Sequence, residues 1–341
     1  MLNYSFQINK DVCFLFWAQS LINWRWTFDK LEYKYYFSFF YLWTSEELNS
    51  LNELKNILYG KDIQFLLLIE RQKVDKDILD SWLKIKNTLA EKFNAVWKEE
   101  FPKLQNLQKD IQTHPFNSSD DLSIKMPKVA NFLNVDLKNF SSITVQLVLH
   151  NSKNSVSGHT HKLFPDLIIL RASNLEHQYL DEVINVLFHE TIHIIKNKSL
   201  RADILLRNAY FKIRFKLFLK KITNLFYLLI KSIKRLAIKE IKEGIKKAMK
   251  FPSWSYLFSE AVITSIAAGS GTINTYFRPN TQQKIEKFDY LKNWHNYTAQ
   301  NRAVALRLVP LTTKYLDNNK TIDQNYCNEV IKIWLEIYNS K

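Results

Sequence analysis

Glycine is scarce in this chain, with five residues in 341. That scarcity excludes a Gly-rich phosphate loop, and no G-x-G-x-x-G or Walker pattern occurs. Cysteine is scarcer still. Cys13 and Cys327 stand at opposite ends, which leaves no disulfide framework and no C-x-x-C metal site. Such usage fits a reducing compartment, and a cytoplasmic location, peripheral to a membrane, is the expectation. The N-terminus carries Asp11 early and lacks both a basic n-region and a small-residue cleavage site. The charge-free stretch from Val12 to Trp24 is too short to cross a bilayer. No internal repeat is evident.

Acidic residues are nearly missing from one long segment. Between Lys196 and Lys250 there are 17 Lys/Arg against three acids, Asp203, Glu240 and Glu243, so this stretch holds almost all of the chain's net charge of +15. The segment is also amphipathic. Ile222, Phe226, Leu229, Ile233, Leu236, Ile241, Ile245 and Ala248 follow one helical stripe, and Lys231, Arg235, Lys239, Lys242, Lys246 and Lys250 follow another. Three accounts stay open. Residues 210–250 dock on an anionic membrane surface, or they attract an acidic partner, or they form solvated helices whose apolar stripe completes the core. Nucleic acid is disfavoured, because no recognised nucleic-acid fold accompanies the charge.

What is present is plentiful apolar and aromatic material, at 46% and 14% of the chain. This excludes general disorder and allows one large or two ordinary domains. Leu2, Tyr4, Phe6 and Ile8 alternate with polar residues, which predicts an opening strand. Residues 11–43 read as apolar and helical, with an aromatic cluster at 35–43. Thr44 and Glu47 form a capping box for a helix to about Leu58. An apolar run, 63–69, follows. A long amphipathic helix is expected over 76–100, ending before Pro102. Alternation at Ile143, Val145, Leu147 and Leu149 predicts a strand over 142–150. Asn151–Gly158 reads as a polar turn and 166–172 as another strand, with a helix starting near 176–180.

That helix carries the sharpest signal in the chain, His189-Glu190-Thr191-Ile192-His193, or H-E-x-x-H. Residues four apart share a helical face, so the two imidazoles project side by side and can grip one Zn²⁺. Glu190, one position on, can reach a zinc-activated water without being a ligand, which suits a general base. Leu180, Ile184, Leu187, Thr191 and Ile195 share one side of the helix, and Asn185, His189, His193 and Lys196 share the other. Val183, Val186, Ile192 and Ile194 lie between, the profile of a buried central helix.

The motif and its apolar flanks over 186–195 resemble the zincin metallopeptidases, and the resemblance is confined to the catalytic motifs. It implies a catalytic Zn²⁺ and hydrolysis of a peptide or protein substrate. Lys196 and Ser199 stand where a metzincin would have Gly and His. Asn274 stands where an aspzincin-like G-T-x-D segment would have its ligand Asp. The remaining subclass, the gluzincins, takes a Glu from a second helix. Glu260 is the leading candidate: it is the only charged residue in Ser253–Ala268, and an isolated carboxylate on an apolar helix calls for a partner or a metal. Asp203, Glu240 and Glu243 compete with it. The pair His159/His161 reads as loop histidines, with metal binding or oxyanion stabilisation as the alternative. Tyr276, Tyr290, His295 and Tyr297 are eligible to stabilise an oxyanion.

The expectation is therefore an α+β, predominantly helical chain with a zincin-like catalytic core and a small sheet next to the H-E-x-x-H helix. It reads as one large unit over 1–341. A mainly helical part with an opening strand spans 1–137. A catalytic part spans 138–341 and contains a basic helical insert at about 199–250. The rival is a catalytically weak zincin-like binding or regulatory protein that docks on membranes. The intact Glu190 argues against it.

Overall fold

The structure, a computed structural model, describes residues 2–22, 37, 40, 42–61, 63–115, 121–140, 142–149, 156–172, 180–231, 254–268, 275–277 and 297–339. The chain divides into two compact units. One comprises Met1–Ser123 and Leu137–Ile194, the other Ile124–Asp136 and Ile195–Lys341.

The first unit holds a four-stranded mixed sheet. Strands β1 (Tyr4–Gln7), β2 (Ile143–Leu149), β3 (Val156–His161) and β4 (Phe164–Ala172) lie in the order β1-β2-β4-β3. β1 and β2 are parallel, as are β2 and β4, whereas β3 runs antiparallel to β4. The opening strand thus joins the sheet, with Tyr4 opposite Ile143. On β2, Ile143, Val145, Leu147 and Val148 are all fully buried, as a parallel strand covered on both faces requires. Gln108 donates to the carbonyl of Phe6 at 2.9 Å, which satisfies one acceptor on the β1 edge.

Helices Lys10–Leu21 and Lys76–Thr113 of this unit pack on β2, and helices Ser45–Leu58 and Ile63–Glu70 pack on them. Helix α1 (Lys10–Leu21) is capped by the Asn9 side chain and is buried from Val12 through Leu21. Its Phe14 packs edge-on against Trp17, Trp82 and Phe93, and these rings form the aromatic core. Helix α2 (Ser45–Leu58) begins with the expected capping box: Glu47 N–H donates to Thr44 Oγ1, and Thr44 N–H to the Glu47 carboxylate. Helix α3 covers Ile63–Glu70. Helix α4 (Lys76–Thr113) runs straight through Pro102, where the sequence predicted a stop. Its buried stripe, Phe93, Val96, Glu100, Leu104, Leu107 and Ile111, keeps helical spacing across the proline, and Pro102 itself faces outward. Packing of that continuous stripe outweighs the one hydrogen bond that proline cannot donate. Of the aromatic run at 35–43, Phe37, Phe40 and Trp43 are described, and they pack on one another.

Helix α6 (Leu180–Lys198) carries the H-E-x-x-H motif. Val183, Ile184, Val186, Leu187, Phe188, Thr191, Ile192, Ile194 and Ile195 are all buried, as a helix apolar nearly all round should be.

The second unit is helical. It contains α5 (Met126–Phe132), α7 (Leu200–Lys231), α8 (Trp254–Ile266), α9 (Tyr297–Asp317) and α10 (Gln324–Asn339). A buried hydroxyl chain joins three of them, with Ser265 2.9 Å from Thr312 and Thr312 2.9 Å from the Tyr326 hydroxyl. Phe132 packs edge-on against Tyr326. Among the described residues, no helix is long and apolar enough to cross a membrane. Both cysteines are free and buried. Of the basic segment, 200–231 is helical and 232–250 lies outside the described residues, along with Glu240 and Glu243.

Candidate metal centre

The two motif histidines project from successive turns of α6. Their Nε2 atoms lie 3.1 Å apart, and the rings are inclined at 71°. Tetrahedral zinc with Zn–N bonds of about 2.0–2.1 Å holds adjacent ligand nitrogens about 3.3 Å apart. The observed separation is close to that of two nitrogens on one metal ion. His189 and Glu190 are 7% and 8% exposed, and His193 is half-buried. A polar trio this enclosed is costly to bury unless each member has a partner.

Helix α6 is fixed from the side opposite the histidines. Thr191 Oγ1 donates to the Leu187 carbonyl at 2.7 Å and, at 2.9 Å, accepts from the hydroxyl of Tyr4 on β1. Burial pushes the Tyr4 hydroxyl far up from its ordinary range, and the bond to Thr191 only partly offsets this, so it stays protonated and keeps donating. The sequence had marked Thr191 as core-facing and Tyr4 as a strand residue. Nothing in it linked the two.

Strand β3 passes over the motif. The segment read as a polar turn is strand from Val156 onward, because Val156, Ser157 and Gly158 pair with Ala172, Arg171 and Leu170 of β4. Gly158 lies directly against Glu190. A Cβ there would collide with Glu190 Cγ and come within 2.8 Å of Val186 Cγ1. Glycine at this position is therefore a matter of close approach: the strand backbone occupies space that any side chain would need. The signal that could have found it is a lone glycine among pattern residues of a strand.

His159 and His161 are strand residues rather than loop residues. The His159 ring is pushed down to about 4, first by burial, then by the Arg171 guanidinium and by His193, so it is neutral near pH 7. His161 Nδ1 accepts from the Leu163 N–H at 3.1 Å and holds the turn into β4. Arg171 is fully buried and stands over the Phe16 ring.

Helix α8 matches its sequence boundaries, starting just after Pro252 and ending before Gly269. Glu260 sits on α8 in the second unit, whereas His189 and His193 belong to the first. Asp203 is accounted for elsewhere: it forms ion pairs of 2.8 Å with Lys196 and with Arg207. Of the oxyanion candidates, the Tyr276 hydroxyl donates to Asp317 Oδ1 at 3.4 Å. Tyr290 and His295 lie outside the described residues, as does the Tyr297 side chain.

No family model, no curated protein and no solved structure matches this chain.

Proposed function

We propose that this chain is a zinc-dependent peptidase of gluzincin type, in which His189, His193 and Glu260 hold the metal and Glu190 is the general base. The observation that carries this reading is the pair of Nε2 atoms 3.1 Å apart on successive turns of one helix, with a carboxylate between them in sequence. Imidazole and carboxylate ligands together suit zinc, whose catalytic sites keep three protein ligands and one open position. Zinc bound there supplies a Lewis acid that acidifies water and polarises a carbonyl.

The protein's own groups then have defined tasks. Glu190 accepts a proton from the attacking water and returns it to the leaving amine, which makes it both base and acid in one cycle. Gly158 lies against the Glu190 side chain, which is 8% exposed, and this close approach restricts its rotamers. Among the described residues strand β3 pairs with β4 on one side, and its other side would take an extended peptide by strand addition. The buried Tyr4–Thr191 bond keeps the helix in register, so both imidazoles stay aimed at the same point.

The test is the zinc content of purified full-length protein, beside that of His193→Ala, Glu260→Ala and Asp203→Asn. One zinc per chain, lost in the first two variants and kept in the third, supports the ligand set. Zinc lost only in His193→Ala would overturn Glu260 as ligand. No zinc in the reconstituted wild type would overturn the whole reading.

A further inference from the structure

Among the described residues, helix α7 has two apolar faces, and the core accounts for one of them. Ala202, Leu206, Ala209, Tyr210 and Ile213 point inward and are buried. Leu200, Ile204, Phe211, Phe215 and Leu219 point the other way, at 75%, 48%, 52%, 62% and 44% exposure. At 100° per residue these five fall within one stripe about 100° wide. They are five of the eleven large hydrophobics exposed among the described residues, and they lie on one helix over about 28 Å. Scattered exposed hydrophobics need no explanation, but a continuous stripe of this kind does.

The charges are arranged around the stripe. Arg201, Lys212 and Lys216 border it on one side and Arg207 on the other, all exposed. Within this helix Asp203 is the one acid, and it is already paired with Lys196 and Arg207. An apolar stripe flanked by exposed cations is the geometry of a helix lying in the plane of a membrane surface. The apolar side chains enter the acyl boundary and the long cationic ones reach outward to anionic headgroups. A second copy of the chain would bring the same cations against one another, so charge complementarity favours an anionic surface.

We propose that the outward face of α7, from Leu200 to Leu219, docks this protein on anionic lipid membranes. The helix lies on the surface and does not cross it. The site begins at Leu200, ten residues before the segment the sequence suggested. This inference goes beyond the peptidase reading and stands without it.

Flotation of the purified protein with vesicles tests it. One set is phosphatidylcholine alone, the other phosphatidylcholine with phosphatidylserine. The wild type is expected to float with the second set only. The double variant Phe211→Ser/Phe215→Ser is expected to bind about tenfold more weakly or worse. Lys212→Gln/Lys216→Gln should also weaken binding and flatten its salt dependence. All three proteins should keep the same circular dichroism and the same zinc content, so a failed docking site is distinguishable from a failed metal site. Absence of wild-type binding would overturn the proposal, as would binding indifferent to the two phenylalanines. A wild-type dimer that the Phe variant converts to monomer, without vesicle binding, would assign the face to a second copy.

Discussion

Gly158 lies against Glu190, so closely that a single added methyl group at 158 would overlap the Cγ of the glutamate. Strand β3 and helix α6 touch there through backbone on one side and the proposed base on the other. Gly158→Ala is therefore expected to destabilise the protein by about 1–3 kcal/mol, as overpacking does. It should lower peptidase turnover more than it lowers zinc affinity, because the displaced group is Glu190 rather than a histidine. Thermal unfolding and zinc titration of the variant check both halves. A variant as stable and as active as the wild type would show that this contact does not exist.

Glu190→Gln keeps the size of the side chain and removes its ability to take a proton. Zinc content should be unchanged and the rate of peptide hydrolysis should fall by about 10²–10⁴. Equal rates in the two proteins would assign the base to another residue.

Tyr4→Phe removes one buried hydroxyl and leaves the ring. Thr191 keeps its own bond to the Leu187 carbonyl, so the loss is one hydrogen bond, about 0.5–1.5 kcal/mol by denaturant unfolding. Zinc stoichiometry should not change. A cost near zero would mean that the Tyr4–Thr191 pair does not hold the helix.

The second unit should weaken at alkaline pH. Burial pushes the Cys327 thiol up from 9.0 to about 12, with Asp323 adding to the effect and Lys212 opposing it. Tyr315 is pushed up from 10.0 to about 12 by burial and by its hydrogen bond to Asp323. The folded state therefore keeps protons that the unfolded chain releases. With fewer protons bound in the unfolded state, stability falls as pH rises, here from about 9 to about 12. Urea midpoints measured across that window should decline, and Cys327→Ala should make the decline shallower. A midpoint flat with pH would contradict these shifts.

Thr44→Ala removes the hydroxyl that accepts from Glu47 N–H at the start of α2. The expected cost is about 1 kcal/mol, read from the shift in denaturation midpoint, with zinc content unaffected. Loss of metal in this variant would show that the cap matters beyond its own helix.

Local patterns in the sequence were sufficient for much of this chain. The capping box at Thr44 and Glu47, the alternation of β1 and β2, and the limits of α8 all rest on residues within one or two turns of each other. The facing histidines are of the same kind, since a spacing of four on a helix fixes their relation before any tertiary contact forms. Tertiary packing decided the rest. Helix α4 continues through Pro102 because its buried stripe extends on both sides of the proline. Residues 156–158 became strand because β4 offered a partner edge. Tyr4 and Thr191, 187 residues apart, meet only once β1 has joined the sheet. The outward stripe of α7 is likewise invisible in periodicity alone, which shows two apolar faces but not which of them the core will bury. Short-range sterics and hydrogen bonding write the first group into the sequence, whereas the second depends on contacts between segments far apart in the chain.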